Sequence, residues 1–94
     1  MIASSYILRL QSTIRKHLPA KDFQVFIFGS AIKQENFRDI DVGIIGDLSV
    51  SQYRNLQEEL EESTFPYIVD LVDLKNTDPH FSDFVLYQET KQWL

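Results

Sequence analysis

The sequence predicts an α+β domain: a small mixed β-sheet with helices packed mainly on one face. Three observations predict it. Two segments carry apolar residues at helical spacing. Three short runs, FQVFIFG, DIDVGIIG and FPYIVDLVDL, are rich in β-branched and aromatic residues and are bounded by turn formers. These segments follow one another as α-β-(turn)-β-α-β-α, an order that gives three strands and too few helices to cover both faces equally.

The first helix is SSYILRLQSTIRKHLP, where Ile7, Leu10, Ile14 and Leu18 form the stripe. Ser4 or Ser5 is placed to cap its start, and Pro19 ends it. FQVFIFG lies between Asp22 and Gly29 and reads as a buried strand. The polar segment SAIKQENFR suggests a short helical turn and then a loop. DIDVGIIG is the second strand, closed by Gly46-Asp47.

Ser49 precedes Gln52 at capping-box spacing, and Val50, Tyr53, Leu56 and Leu60 follow as an apolar stripe. FPYIVDLVDL is the third strand, with Pro66 tolerated at its start. Asp78 is the expected N-cap of a last helix that has Pro79 at its first position. The closing KQWL is too short to assign. Nothing in the 94 residues reads as a linker or a repeat, so residues 1–94 are expected to form one domain.

Composition excludes several classes of function. The net charge is −5 and no Lys/Arg block occurs, so nucleic acid is not an expected partner. The absence of cysteine excludes a disulfide framework and a thiolate zinc site. No apolar run approaches the roughly 18 residues of a membrane span, and the N-terminus lacks the order of a signal peptide. A soluble cytoplasmic protein is the expectation.

Against that plain background, FGSAIKQENFRDIDVGI needs a reason. Residues two apart on a strand point to the same side. Asp39 and Asp41 therefore share one face, and Ile40, Val42 and Ile44 share the other. Two adjacent carboxylates repel, which raises a pKa or demands a cation. Mg²⁺ suits them, because it takes oxygen ligands from carboxylates, phosphates and water. Acidic residues at a sheet edge also discourage aggregation, which is the plainer reading of Asp-x-Asp alone.

Gly29-Ser30 adds weight to the metal reading. It lies where a strand gives way to a turn, so backbone N–H groups and a hydroxyl can meet phosphate oxygens there. The third strand supplies two further acids, Asp70 and Asp73, which fall on opposite faces, so at most one joins the pair. Asp70, flanked by apolar residues, requires a partner, a metal or an exposed strand face. Asp73, nearer the strand end, suits a turn or solvent. Asp70 is the better candidate.

These residues, FGS followed by DIDVGI and VDLVDL, resemble the minimal nucleotidyltransferases of the polymerase-β-type superfamily, over nearly the whole chain. The resemblance implies that Gly29 and Ser30 hold the nucleotide's phosphates. It implies that Asp39 and Asp41 bind two Mg²⁺ ions, and that Asp70 helps bind metal and activates the attacking hydroxyl. The implied reaction moves a nucleoside monophosphate from an NTP, in this group ATP, to a hydroxyl of a HEPN-domain toxin whose antitoxin the enzyme is. An alternative keeps the fold without the catalysis, as an antitoxin that blocks its partner sterically. The sequence departs from the family after Gly-Ser, where AIKQENF has neither glycine nor arginine. Lys33 and Arg38 are the cations available in that segment.

So small a chain leaves acceptor binding to a partner protein or to a second copy in a homo-oligomer. His17 and His80 stand apart in sequence, and His17 suits the basic end of a helix. Tyr6, Tyr53, Tyr67 and Tyr87 read as packing residues, and Trp93 as a cover for the core edge or a partner contact.

Overall fold

A computed structural model describes residues 2–94. Its elements are α1 (Ser4–His17), β1 (Gln24–Phe28), α2 (Ser30–Lys33), β2 (Asp39–Ile45), α3 (Val50–Glu62), β3 (Ile68–Asp73), α4 (Pro79–Tyr87) and β4 (Lys91–Trp93). The strands form one sheet in the order β3-β2-β1-β4. β1 runs antiparallel to both β2 and β4, whereas β2 and β3 are parallel and joined through α3. The sheet is therefore mixed, and the expected order of elements holds with β4 added from the segment left unassigned.

One face of the sheet carries the larger core. Val25 and Ile27 of β1, Ile40, Val42 and Ile44 of β2, and Val69 and Leu71 of β3 meet Leu10 and Ile14 of α1 and Leu56 and Leu60 of α3. Alternation sends Phe26 and Phe28 to the opposite face, where they pack with Leu74 and with Val85 of α4. Phe26 lies directly over Gly43: a Cβ there would come within 2.4 Å of its ring. Bulk on β1 is thus matched by its absence on β2. α4 covers only part of this second face, and its remaining stretch carries Asp39, Asp41 and Asp70.

Two helix details differ from expectation. Neither Ser4 nor Ser5 caps α1; Ala3 is the N-cap, and its carbonyl accepts from the N–H groups of Tyr6 and Ile7. Both serines lie inside the first turn, too late to cap it. In α3 the buried stripe narrows to Leu56 and Leu60, while Val50 and Tyr53 are exposed. The first turn of α3 is occupied by its capping box, in which Ser49 and Gln52 each receive the other's backbone N–H. At α4, the Asp78 carboxylate accepts from the His80 N–H at 2.8 Å, and Pro79 opens the helix.

Arg15 ties the segment between α1 and β1 to Leu94. Its guanidinium donates to the carbonyls of Leu18, Phe23 and Leu94 at 3.2, 3.0 and 2.9 Å. Among the described residues, no helix is long and apolar enough to cross a membrane.

Candidate active site

The site begins with register. Phe28 of β1 pairs with Asp41 of β2, so Gly29 leaves the strand beside that carboxylate. Its backbone adopts φ +78° and ψ −149°, a conformation nearly closed to other residues. A Cβ on Gly29 would lie 2.7 Å from Asp41 Oδ2. Glycine is thus required twice, by the turn into α2 and by the space the carboxylate occupies. Ser30 follows as the first residue of α2.

On the other side of β2, Asp41 pairs in parallel register with Asp70, and Asp39 with Ile68. Partners in register face the same way. Asp39, Asp41 and Asp70 therefore share one face; Asp39 and Asp70 are exposed and Asp41 is half-buried. Asp73 lies apart from them. Its carboxylate accepts from the Lys75 N–H at 3.2 Å and from Asn76 Nδ2 at 2.7 Å, which makes it a turn residue.

Burial is the main cause of a raised pKa at Asp41, followed by the charges of Asp70, Asp39 and Glu89. The half-buried carboxylate thus sits in a field that favours a proton or a cation. Among the described residues, no three acidic or histidine side chains close on a common point. The donor set is nonetheless all oxygen and close to a backbone that glycine keeps clear. That chemistry fits a hard divalent ion shared with phosphate oxygens and water.

Two neighbours complete the surroundings. Lys33, at the end of α2, forms an ion pair with Glu89, whose side chain is only 12% exposed. On the other flank, a cleft of about 640 Å³ is lined by Ser30, Arg38, Asp39 and the rings of Phe37 and Tyr67. Those rings stack with centroids 4.8 Å apart. Tyr67 is thus a packing residue, as expected, but it packs at the wall of this cleft. Glu89 was not foreseen; it follows α4 in a stretch with no local pattern, and only the fold brings it near Asp41.

Comparison with known proteins identifies the family. The family described as Polymerase beta, Nucleotidyltransferase matches residues 9–91. The Probable protein adenylyltransferase MntA of Haemophilus influenzae is 32% identical over 82 residues, which cover 83% of this chain and 71% of that protein. A crystal structure of the toxin-antitoxin MntA-HepT superimposes with a TM-score of 0.68 at 22% identity, covering 95% of this chain and 70% of the other. A toxin-antitoxin crystallised with AMP-PNP superimposes with a TM-score of 0.66 at 26% identity, covering 96% and 72%. With a family match across most of its length and a relative this similar, the chain belongs to the polymerase beta nucleotidyltransferase family.

Proposed function

We propose that this chain transfers AMP from ATP to a hydroxyl of a HEPN-type toxin, and acts as that toxin's antitoxin. The observation that carries the reading is the Asp41–Asp70 pair across β2 and β3, with Asp39 on the same face and Gly29-Ser30 beside it. The adenylyltransferase name of the Haemophilus relative supports the chemistry. The toxin-antitoxin complexes of similar fold, one of them holding AMP-PNP, support the setting and the donor.

In this reading Gly29 lets the backbone approach the triphosphate, and the Ser30 hydroxyl donates to a phosphate oxygen. Asp39, Asp41 and Asp70 would hold two Mg²⁺ ions, which when bound neutralise charge on the attacking and leaving oxygens. Asp70, exposed at the outer strand, takes the proton of the acceptor hydroxyl. The acceptor oxygen bonds to the α-phosphorus as the bond to the β-phosphate oxygen breaks, and pyrophosphate leaves. An exposed carboxylate at a sheet edge suits an acceptor carried by another protein.

The test is incubation with Mg²⁺, α-³²P-ATP and the purified HEPN-type partner. Label should appear on the partner with the wild type and disappear with Asp39→Asn and Asp41→Asn. No transfer with either Mg²⁺ or Mn²⁺ would sink the catalytic reading.

A second reading, a non-catalytic antitoxin, draws on the carboxylates not closing on a common point. It expects Asp41→Asn to neutralise the partner in cells as well as the wild type does. An Asp41→Asn variant that binds the partner but fails to neutralise it would reject this alternative.

A further inference from the structure

We propose that Glu89 is a positioning residue that holds the Lys33 ammonium against the phosphates of the bound nucleotide. The inference rests on the reading of Gly29-Ser30 and the aspartates as a nucleotide site. Ser30 and Lys33 are the first and last residues of α2. Three residues apart on a helical turn, they lie on neighbouring positions of one face. Ser30 borders the cleft, whereas Lys33 turns to the other flank of the short helix, where it meets Glu89.

A lysine side chain is long and mobile, and left free it would spend most of its time in solvent. Here it is not free. Its ammonium is paired with Glu89, a side chain only 12% exposed. Phe28 pairs with Asp41 on one side and with Lys91 on the other, so Glu89, two residues before Lys91, lies at the end of the sheet where Gly29 leaves β1 beside Asp41. The ammonium is thereby anchored at the end of the sheet that carries the Gly-Ser turn and Asp41.

The anchor itself is fixed. The Glu89 N–H donates to the Phe84 carbonyl at 3.2 Å, and the Lys91 ammonium donates to the carbonyls of Leu86 and Glu89 at 2.7 and 3.0 Å. An ammonium has three donors. One satisfies Glu89, and the others remain for phosphate oxygens. Lys33 therefore need not abandon a nearly buried carboxylate to bind the ligand, which would be costly. This arrangement supplies a cation in the segment that follows Gly29-Ser30, where no arginine occurs before Arg38.

The experiment measures MgATP binding by calorimetry for wild type, Lys33→Met, Glu89→Gln, Glu89→Asp and the double variant Lys33→Met/Glu89→Gln. Removing one charge-assisted contact from the phosphates should weaken binding about tenfold in Lys33→Met. Glu89→Gln should weaken it in the same direction, although it removes a negative charge next to an anionic ligand. Glu89→Asp should recover part of the loss. In the Lys33→Met background, Glu89→Gln should cause no further loss.

Tighter MgATP binding by Glu89→Gln would overturn the proposal, because Glu89 would then compete with the nucleotide for Lys33. Equal losses from Glu89→Gln with and without Lys33 would also overturn it, because Glu89 would then act independently. Melting curves identify any variant that fails to fold, and Glu89→Asp then carries the comparison. Binding of Mg²⁺ alone, lost in Asp41→Asn, reads the site assignment separately. A wild type that binds neither Mg²⁺ nor MgATP overturns both readings; one that binds both, with Glu89→Gln unchanged, overturns only this one.

Discussion

Asp41 and Asp70 stand side by side in register across the parallel β2–β3 pair, two acids where a sheet would ordinarily place complementary side chains. Like charges opposite one another destabilise a sheet. Burial and the charges of Asp70, Asp39 and Glu89 all act against ionisation of Asp41. The metal-free fold therefore carries a cost concentrated at this residue. Asp41→Asn should relieve it and raise the melting temperature of the metal-free protein. Discounting for the solvent that reaches the group, the gain is roughly 0.5 kcal/mol, or about 2–4 °C. The same variant should lose transfer by about 100-fold or more, since the lost charge stabilises the transition state through bound metal. Paired melting curves and label-transfer assays check both effects; a destabilised variant would contradict the electrostatic argument.

The raised pKa also sets a pH dependence. Between the ordinary aspartate value of 3.8 and its raised native value, Asp41 binds more protons folded than unfolded. Its contribution to stability therefore falls as pH rises through that window, and the cost stays in full above it. Mg²⁺ binding reverses the preference, because the ion favours the carboxylate. Affinity for Mg²⁺ should rise with pH up to the raised native value and level off above it, with protons released on binding only where the folded carboxyl is still protonated. Calorimetry in buffers of different ionisation enthalpy reads the proton release, and loss of the Mg²⁺ signal in Asp41→Asn ties it to this site.

Gly29 provides a steric test. Gly29→Ala places a Cβ 2.7 Å from Asp41 Oδ2, on a backbone with φ of +78°. The backbone conformation alone should cost about 1–3 kcal/mol. The displaced carboxylate should weaken Mg²⁺ binding as well. Denaturant unfolding and Mg²⁺ titration together check this. Lost stability with unchanged Mg²⁺ affinity would mean that Asp41 adapts without moving its metal-binding oxygens.

Much of this architecture was legible locally. Period-two alternation placed Asp39 and Asp41 opposite Ile40, Val42 and Ile44, and all three apolar residues are fully buried. The Ser49–Gln52 box and the Asp78-Pro79 start are short-range devices, written within a few residues. What escaped depends on distant partners. β4 has no pattern of its own; it pairs with β1, and Trp93 packs on the Phe26 ring 5.0 Å away. Strand periodicity puts Asp70 and Asp73 on opposite faces and the apolar flanks favour Asp70, but its place opposite Asp41 follows from a parallel register that neither strand encodes alone. Glu89 was invisible because Lys33 is 56 residues away in sequence.

Arg15 allows stability to be separated from function. Its three carbonyl acceptors join the end of α1, the start of β1 and Leu94, at the opposite end of β1 from the Gly-Ser turn. The guanidinium is part-buried and satisfies these oxygens together. Arg15→Met keeps much of the apolar stem but leaves the oxygens without this donor. Charge-assisted hydrogen bonds of this kind should make the loss about 2–3 kcal/mol. Hydrogen exchange should accelerate first at the Leu94 N–H, which donates to the Val25 carbonyl at 2.9 Å. Mg²⁺ and MgATP affinities should stay within about twofold of wild type below the melting transition, since changes at well-separated sites are nearly independent. A large fall in MgATP affinity with a modest loss of stability would mean that the β1–β4 edge carries Glu89 with it, coupling the C-terminal strand to the nucleotide site.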